Sequence, residues 1–167
     1  MTRFSAVARC FLGFAALGAG LIHLALAIGS PAWLAAGLVV AGAAEFLWGV
    51  LAVSRPGVPV PRVALVVALV PIAAWVVLLL AGLPDGPRPL PMLAATALDL
   101  AVAIGISSGL RRSPAGEPKH PLVGIGIAAL VVAAVTVPAL IATEAPHWVG
   151  EVPAHEEPAH EERRDGL

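Results

Sequence analysis

The chain has 167 residues, 59% of them hydrophobic and 13% charged, with a net charge of −1. A soluble domain carries about a quarter charged residues, so an ordinary soluble domain is excluded, and the near-neutral balance offers no basic surface for nucleic acid. The single cysteine, Cys10, excludes an internal disulfide and a cysteine-only metal site.

Taken in chain order, five apolar runs cover residues 11–28, 32–53, 63–83, 92–110 and 122–143, separated by short charged or Pro/Gly-rich breaks. A helix rises ~1.5 Å per residue and the hydrocarbon core is ~30 Å thick, so ~20 apolar residues cross it. Each run is near that length. The sequence therefore predicts an all-α fold: a five-transmembrane-helix domain over residues 1–145, then a short disordered His/Glu-rich tail over residues 146–167. Pro71 and Pro138 interrupt the third and fifth runs and should kink them.

Lipid tails do not drive helices together, so contacts between spans rely on small residues and a few polar groups. Ala16, Gly20, His23 and Ala27 share a face of the first span. Gly37, Ala41, Glu45 and Gly49 share one of the second, and Gly124, Ala128 and Ala129 lie together on the fifth. These stripes are the expected helix contacts. The third span lacks such a stripe and is expected to face lipid. Trp33 and Trp148 fall at span ends, where indole is favoured; Trp48 and Trp75 lie deeper and read as packing residues.

Orientation follows from the cations. Arg3 and Arg9 precede the first span, Arg55 and Arg62 lie between the second and third, and Arg111, Arg112 and Lys119 lie between the fourth and fifth. The intervening breaks hold only Arg88. Cytoplasmic loops are enriched in Lys and Arg, so the expected topology has the N-terminus inside and the C-terminus outside a bacterial cytoplasmic membrane. A competing reading makes the first run a cleaved signal peptide, with Arg3 and Arg9 as its basic region and Ala25-Leu26-Ala27 as the cleavage site. The run is long for that role, and the next span follows after only three residues.

Three ionisable residues interrupt the runs: His23, Glu45 and Asp99. A charged carboxylate mid-membrane costs ~2.5–3.5 kcal/mol on insertion scales, so such groups face the bundle interior and find partners. Counting ~1.5 Å per residue from the outer ends places His23 ~8 Å deep, Asp99 ~12 Å and Glu45 ~20 Å. That depth order pairs His23 with Asp99, leaves Glu45 below them, and puts Thr96 one turn before Asp99 as a donor to it. The set is either a polar clamp between helices or a proton- or cation-handling site. With no second mid-membrane His, a bis-His haem is not expected.

The tail changes composition abruptly. Its tandem repeat, Pro153-Ala154-His155-Glu156-Glu157 and Pro158-Ala159-His160-Glu161-Glu162, should be disordered alone. Imidazole and carboxylate are ligands for Zn²⁺ and Cu²⁺, which makes His147, His155, Glu156, His160 and Glu161 a candidate metal-binding set beside the plainer reading of a solvated acidic tail.

Asn, Gln and Tyr are absent from the chain, a bias characteristic of a GC-rich genome. Gly20-Leu21-Ile22-His23-Leu24-Ala25 sits late in the first span, and Ala81-Gly82-Leu83-Pro84-Asp85-Gly86-Pro87 leads into Ala94-Ala95-Thr96-Ala97-Leu98-Asp99-Leu100. With these motifs the first four spans resemble uncharacterised small multi-pass integral membrane proteins of actinobacteria. The resemblance implies membrane location and a helical bundle, and carries no activity.

No nucleophile–base motif, phosphate loop or metalloprotease helix is present, so the chain reads as non-enzymatic. The leading expectation is an accessory or assembly-type membrane protein, with a membrane-protein partner or a second copy and Zn or Cu on the tail. The alternative is a small proton- or cation-coupled carrier built on His23, Asp99 and Glu45. The charge asymmetry makes the first prediction. Reporters fused after Leu167 and within residues 54–62 should report opposite sides of the membrane, and a cytoplasmic C-terminus would contradict the topology.

Overall fold

The computed structural model describes residues 4–56, 60–81, 88–111 and 121–144. They form five α-helices: α1 (Ala6–Ala27), α2 (Ala32–Ser54), α3 (Pro61–Leu80), α4 (Pro89–Arg111) and α5 (Pro121–Glu144). All five are long and apolar enough to cross a membrane. Large apolar side chains such as Leu80 (84% exposed) and Leu130 (71%) cover the outside of the bundle. A water-soluble monomer rarely exposes so much apolar surface, whereas a lipid-facing bundle must. The protein is thus an all-α, multi-pass membrane protein. The tail residues His147, His155, Glu156, His160 and Glu161, with Trp148, lie outside the described residues.

Local chemistry sets the helix ends. Ser5 caps α1, its hydroxyl accepting from Ala8 N–H. Helices α3, α4 and α5 each open on a proline, which fits the first helical turn because its missing N–H has no partner there. At the other ends, hydroxyls donate to nearby carbonyls: Ser30 to Leu26, Ser54 to Val50 and Thr143 to Leu140. Arg88, just ahead of α4, donates to the carbonyls of Ala142 and Thr143 and so caps the C-terminal end of α5. Helix α1 begins at Ala6, five residues before the apolar run. It carries Arg9 within its first turns, because a helix can extend past its hydrophobic stretch wherever its backbone bonds remain satisfied.

Helix α1 lies at the centre, packed on α2, α4 and α5. Contacts α1–α2, α2–α3, α3–α4 and α4–α1 close a four-helix ring, and α5 covers the α1–α4 seam. The α2–α3 contact is the sparsest side of that ring. The α1–α2 contact is the most extensive, and glycines explain it. A Cβ on Gly20 would stand 2.7 Å from the Gly42 carbonyl oxygen, and one on Gly49 would stand 2.7 Å from that of Gly13. These two backbone contacts recur seven residues apart on each helix, as small-residue packing in a bilayer requires. Gly29 turns the chain between the helices at φ +81°, where a side chain would be strained.

Several expectations need correcting. Gly37 has open space around its Cα and is no contact residue. The stripe continues instead through Gly42, whose spacing to Gly49 matches that of Gly13 to Gly20. Helix α3 does have a small-residue stripe: Ala64, Ala68 and Pro71, ending at Trp75, are its buried positions, flanked by half-buried Leu65, Val67 and Leu78, while most of the helix faces outward. Trp33 is exposed and Trp48 and Trp75 are buried, as expected. Helices α3 and α5 each run on through their internal prolines.

Gly42→Val should force the two backbones apart and lower stability in detergent by about 1–3 kcal/mol, the usual cost of overpacking. Gly37→Ala should hold stability or raise it by up to about 1 kcal/mol through helix propensity. Equal losses in the two variants, measured by unfolding in mixed micelles, would contradict the packing.

Candidate functional site

The three intramembrane ionisable residues meet at the centre of the ring. His23 comes from α1, Glu45 from α2 and Asp99 from α4, and they are only 1%, 2% and 1% exposed. His23 Nδ1 and Glu45 Oε2 share a 2.8 Å hydrogen bond. Asp99 is close to both: one ligand-type atom from each of the three residues lies within 4.8 Å of the others.

The pairing differs from the depth-based expectation of His23 with Asp99. Depth counted along Cα positions ignores the lean of helical side chains. Every Cα–Cβ bond in a helix tilts toward its own N-terminus. Helices α1 and α2 are antiparallel, so His23 and Glu45 lean toward each other. With Gly20 opposite Gly42, the two residues are offset by ~9 Å along the axes, at ~1.5 Å per residue. Two long side chains leaning together close that gap. Helix α4 runs parallel to α2, so Asp99 leans the same way as Glu45. Thr96 is half-buried one turn before Asp99 and makes no hydrogen bond to it.

Room for this cluster comes from small neighbours. Ala16, Ala64 and Ala68 border a cavity of about 10 Å³ together with Glu45, Asp99, Trp48, Val67 and Val102. That volume is roughly what one water or small ion needs. Pro71 lacks the N–H that would bond the Val67 carbonyl four residues earlier, so this wall also carries a carbonyl freed from the helical ladder. Val102 is a site residue that the sequence reading passed over, and Trp48 one that it read only as a packing residue. Each sits three positions after a carboxylate, Glu45 or Asp99, and therefore on the same helical face.

Hydrogen bonding is incomplete. His23 Nε2, Glu45 Oε1 and Asp99 Oδ2 are buried without a partner in the protein. Among the described residues, the sole contact between a basic and an acidic side chain is His23–Glu45, and no Arg or Lys neutralises Asp99. Buried polar atoms left unpaired cost about 1–3 kcal/mol each, more when charged, a cost that a bound proton or cation would offset. Its donor set of one imidazole and two carboxylates suits Zn²⁺ or another first-row divalent ion. Two such ligands on one ion stand at most ~4.2 Å apart, twice the metal–ligand distance. From separations within 4.8 Å, side-chain rotations would be needed to bring the three atoms onto a common ion.

No family model matches the chain, and searches of curated proteins and of solved structures find no match either.

The buried pair predicts energetic coupling. His23→Ala and Glu45→Ala should each destabilise the protein, and the double variant should lose less than their sum, with an interaction of about 0.5–3 kcal/mol. Glu45→Ala combined with Arg88→Met, at the distant α4–α5 cap, should be additive. Additive losses for His23 and Glu45 would mean that the contact is absent in the membrane-inserted protein.

Proposed function

We propose that this protein is a small, non-enzymatic carrier coupled to protons or a cation, with His23, Glu45 and Asp99 as its binding groups. One observation carries the reading: three ionisable side chains from three helices converge in the bilayer interior with an unpartnered polar atom on each. A purely structural clamp gains most when its polar atoms satisfy one another, because a half-satisfied buried network is worse than an apolar core. Here each residue retains an open position, and the adjoining cavity admits one small guest.

The site lies in a bacterial cytoplasmic membrane in this reading, with the N-terminus inside and the C-terminus outside. Arg88 supports that orientation. It is the only cation in the breaks on the sparse side, the tail's Arg163 and Arg164 lying far from the last span, and its guanidinium is engaged in capping α5. The central position of α1, which bears His23 and touches three other helices, favours its retention in the working protein over its removal as a signal peptide.

The accessory reading remains the competitor, and it predicts partner subunits rather than flux. Purified protein in liposomes with a trapped pH- or Zn²⁺-sensitive dye decides between them. Wild-type protein should dissipate a proton or Zn²⁺ gradient faster than empty liposomes. Asp99→Asn and Glu45→Gln should cut that rate at least tenfold while the melting temperature stays close to wild type. Flux no greater than that of empty liposomes, with membrane subunits co-purifying in mild detergent, would replace the carrier with an accessory role.

A further inference from the structure

A second cavity has His23 among its lining residues. It measures about 600 Å³ and runs between α2 and α3, the sparsest side of the ring. This is within the range of sites that hold drug-sized ligands, ~300–1,000 Å³. Gly37, Ala41 and Leu38 of α2 face Pro71, Ala74 and Trp75 of α3 across it. Outward-facing Trp33, Val70 and Val77 stand among its lining residues, so it opens sideways toward lipid. The lining is apolar except for the two indoles and His23. Glu45 and Asp99 border only the smaller cavity.

Two independent features make this a built site. The cleft exists because Gly37 and the alanines leave space where larger residues would close α2 onto α3; nothing lies within 4 Å of a Cβ added at Gly37. Its wall includes the imidazole of His23, which is 1% exposed and whose Nε2 has no partner. In the state where Glu45 is a carboxylate and His23 is neutral, the Nδ1–H of His23 donates to Glu45 and Nε2 keeps a lone pair; this is the state in which the site accepts a donor. The complement is an apolar molecule dissolved in the bilayer that carries one O–H donor. The indoles of Trp33 and Trp75 and the thioether of Met92 favour a flat aromatic body.

We propose that the α2–α3 cleft binds a membrane-dissolved aromatic lipophile whose hydroxyl donates to His23 Nε2. A phenolic lipid and a reduced isoprenoid quinone both present that chemistry. This binding stands apart from the carrier reading, since it needs no ion in the small cavity and no flux.

The test uses the full chain in nanodiscs without added metal. Tritiated 4-nonylphenol and a decyl-naphthoquinol are the probes, with empty nanodiscs correcting for partition into lipid. At least one probe should bind saturably at one site per chain; the tighter of the two names the source of the hydroxyl. The methyl ether of that probe, lacking the donor, should bind about tenfold more weakly. Gly37→Leu fills the cleft without touching the helix contacts, and should abolish saturable binding while the melting temperature holds or rises. Absence of saturable binding by both probes, or equal binding to wild type and Gly37→Leu, would overturn the cleft. A methyl ether that binds as tightly as the hydroxylated probe would overturn the role of His23.

Discussion

The close approach of α1 and α2 governs the rest of the structure. Two glycine contacts, Gly13–Gly49 and Gly20–Gly42, bring backbone against backbone and fix the register of an antiparallel pair. That register decides which polar groups can meet. With Gly20 opposite Gly42, His23 and Glu45 lean toward each other and share a hydrogen bond that positions far apart in depth would not suggest. The same close packing makes α1 the most enclosed helix, so the ionisable group it carries is removed from both lipid and water.

From this constraint the two cavities follow. Helix α4 approaches α1 from another side and delivers Asp99 to the cluster. Helix α3 is held mainly by α4 and touches α2 only sparsely. The ring is therefore tight where carboxylates and imidazole gather and loose where Gly37 faces Ala74 and Trp75. His23 stands on the boundary. One ring nitrogen is committed to a carboxylate, while the other lacks a protein partner. An imidazole so placed joins a polar interior to an apolar, lipid-open cleft.

Much of the fold was legible in the sequence. Five apolar runs became five helices because length and hydropathy are what a bilayer selects. His23, Glu45 and Asp99 stood out because ionisable groups are costly in that solvent, and the structure brings them together. Their pairing was not legible. Depth counted along the chain missed the lean of side chains toward their own helix N-termini, and a four-residue small-residue pattern found Gly49 but selected Gly37 where the other working contact uses Gly42. The role of Arg88 as a cap for α5 was also hidden, since it depends on α4 starting beside the end of a helix more than 50 residues later. The cleft was illegible for a related reason: Gly37 looks the same in sequence whether it seals a contact or leaves one open.

The central claim is that His23 engages Glu45, with Asp99 alongside, inside the bilayer. Solid-state NMR on the protein in lipid tests it most directly, through dipolar couplings between ¹⁵N-labelled imidazole and ¹³C-labelled side-chain carboxyls. The account predicts a short-range coupling from His23 Nδ1 to the Glu45 carboxyl that disappears in Glu45→Gln, and a weaker one to Asp99. A His23 imidazole coupled to neither carboxyl would contradict it.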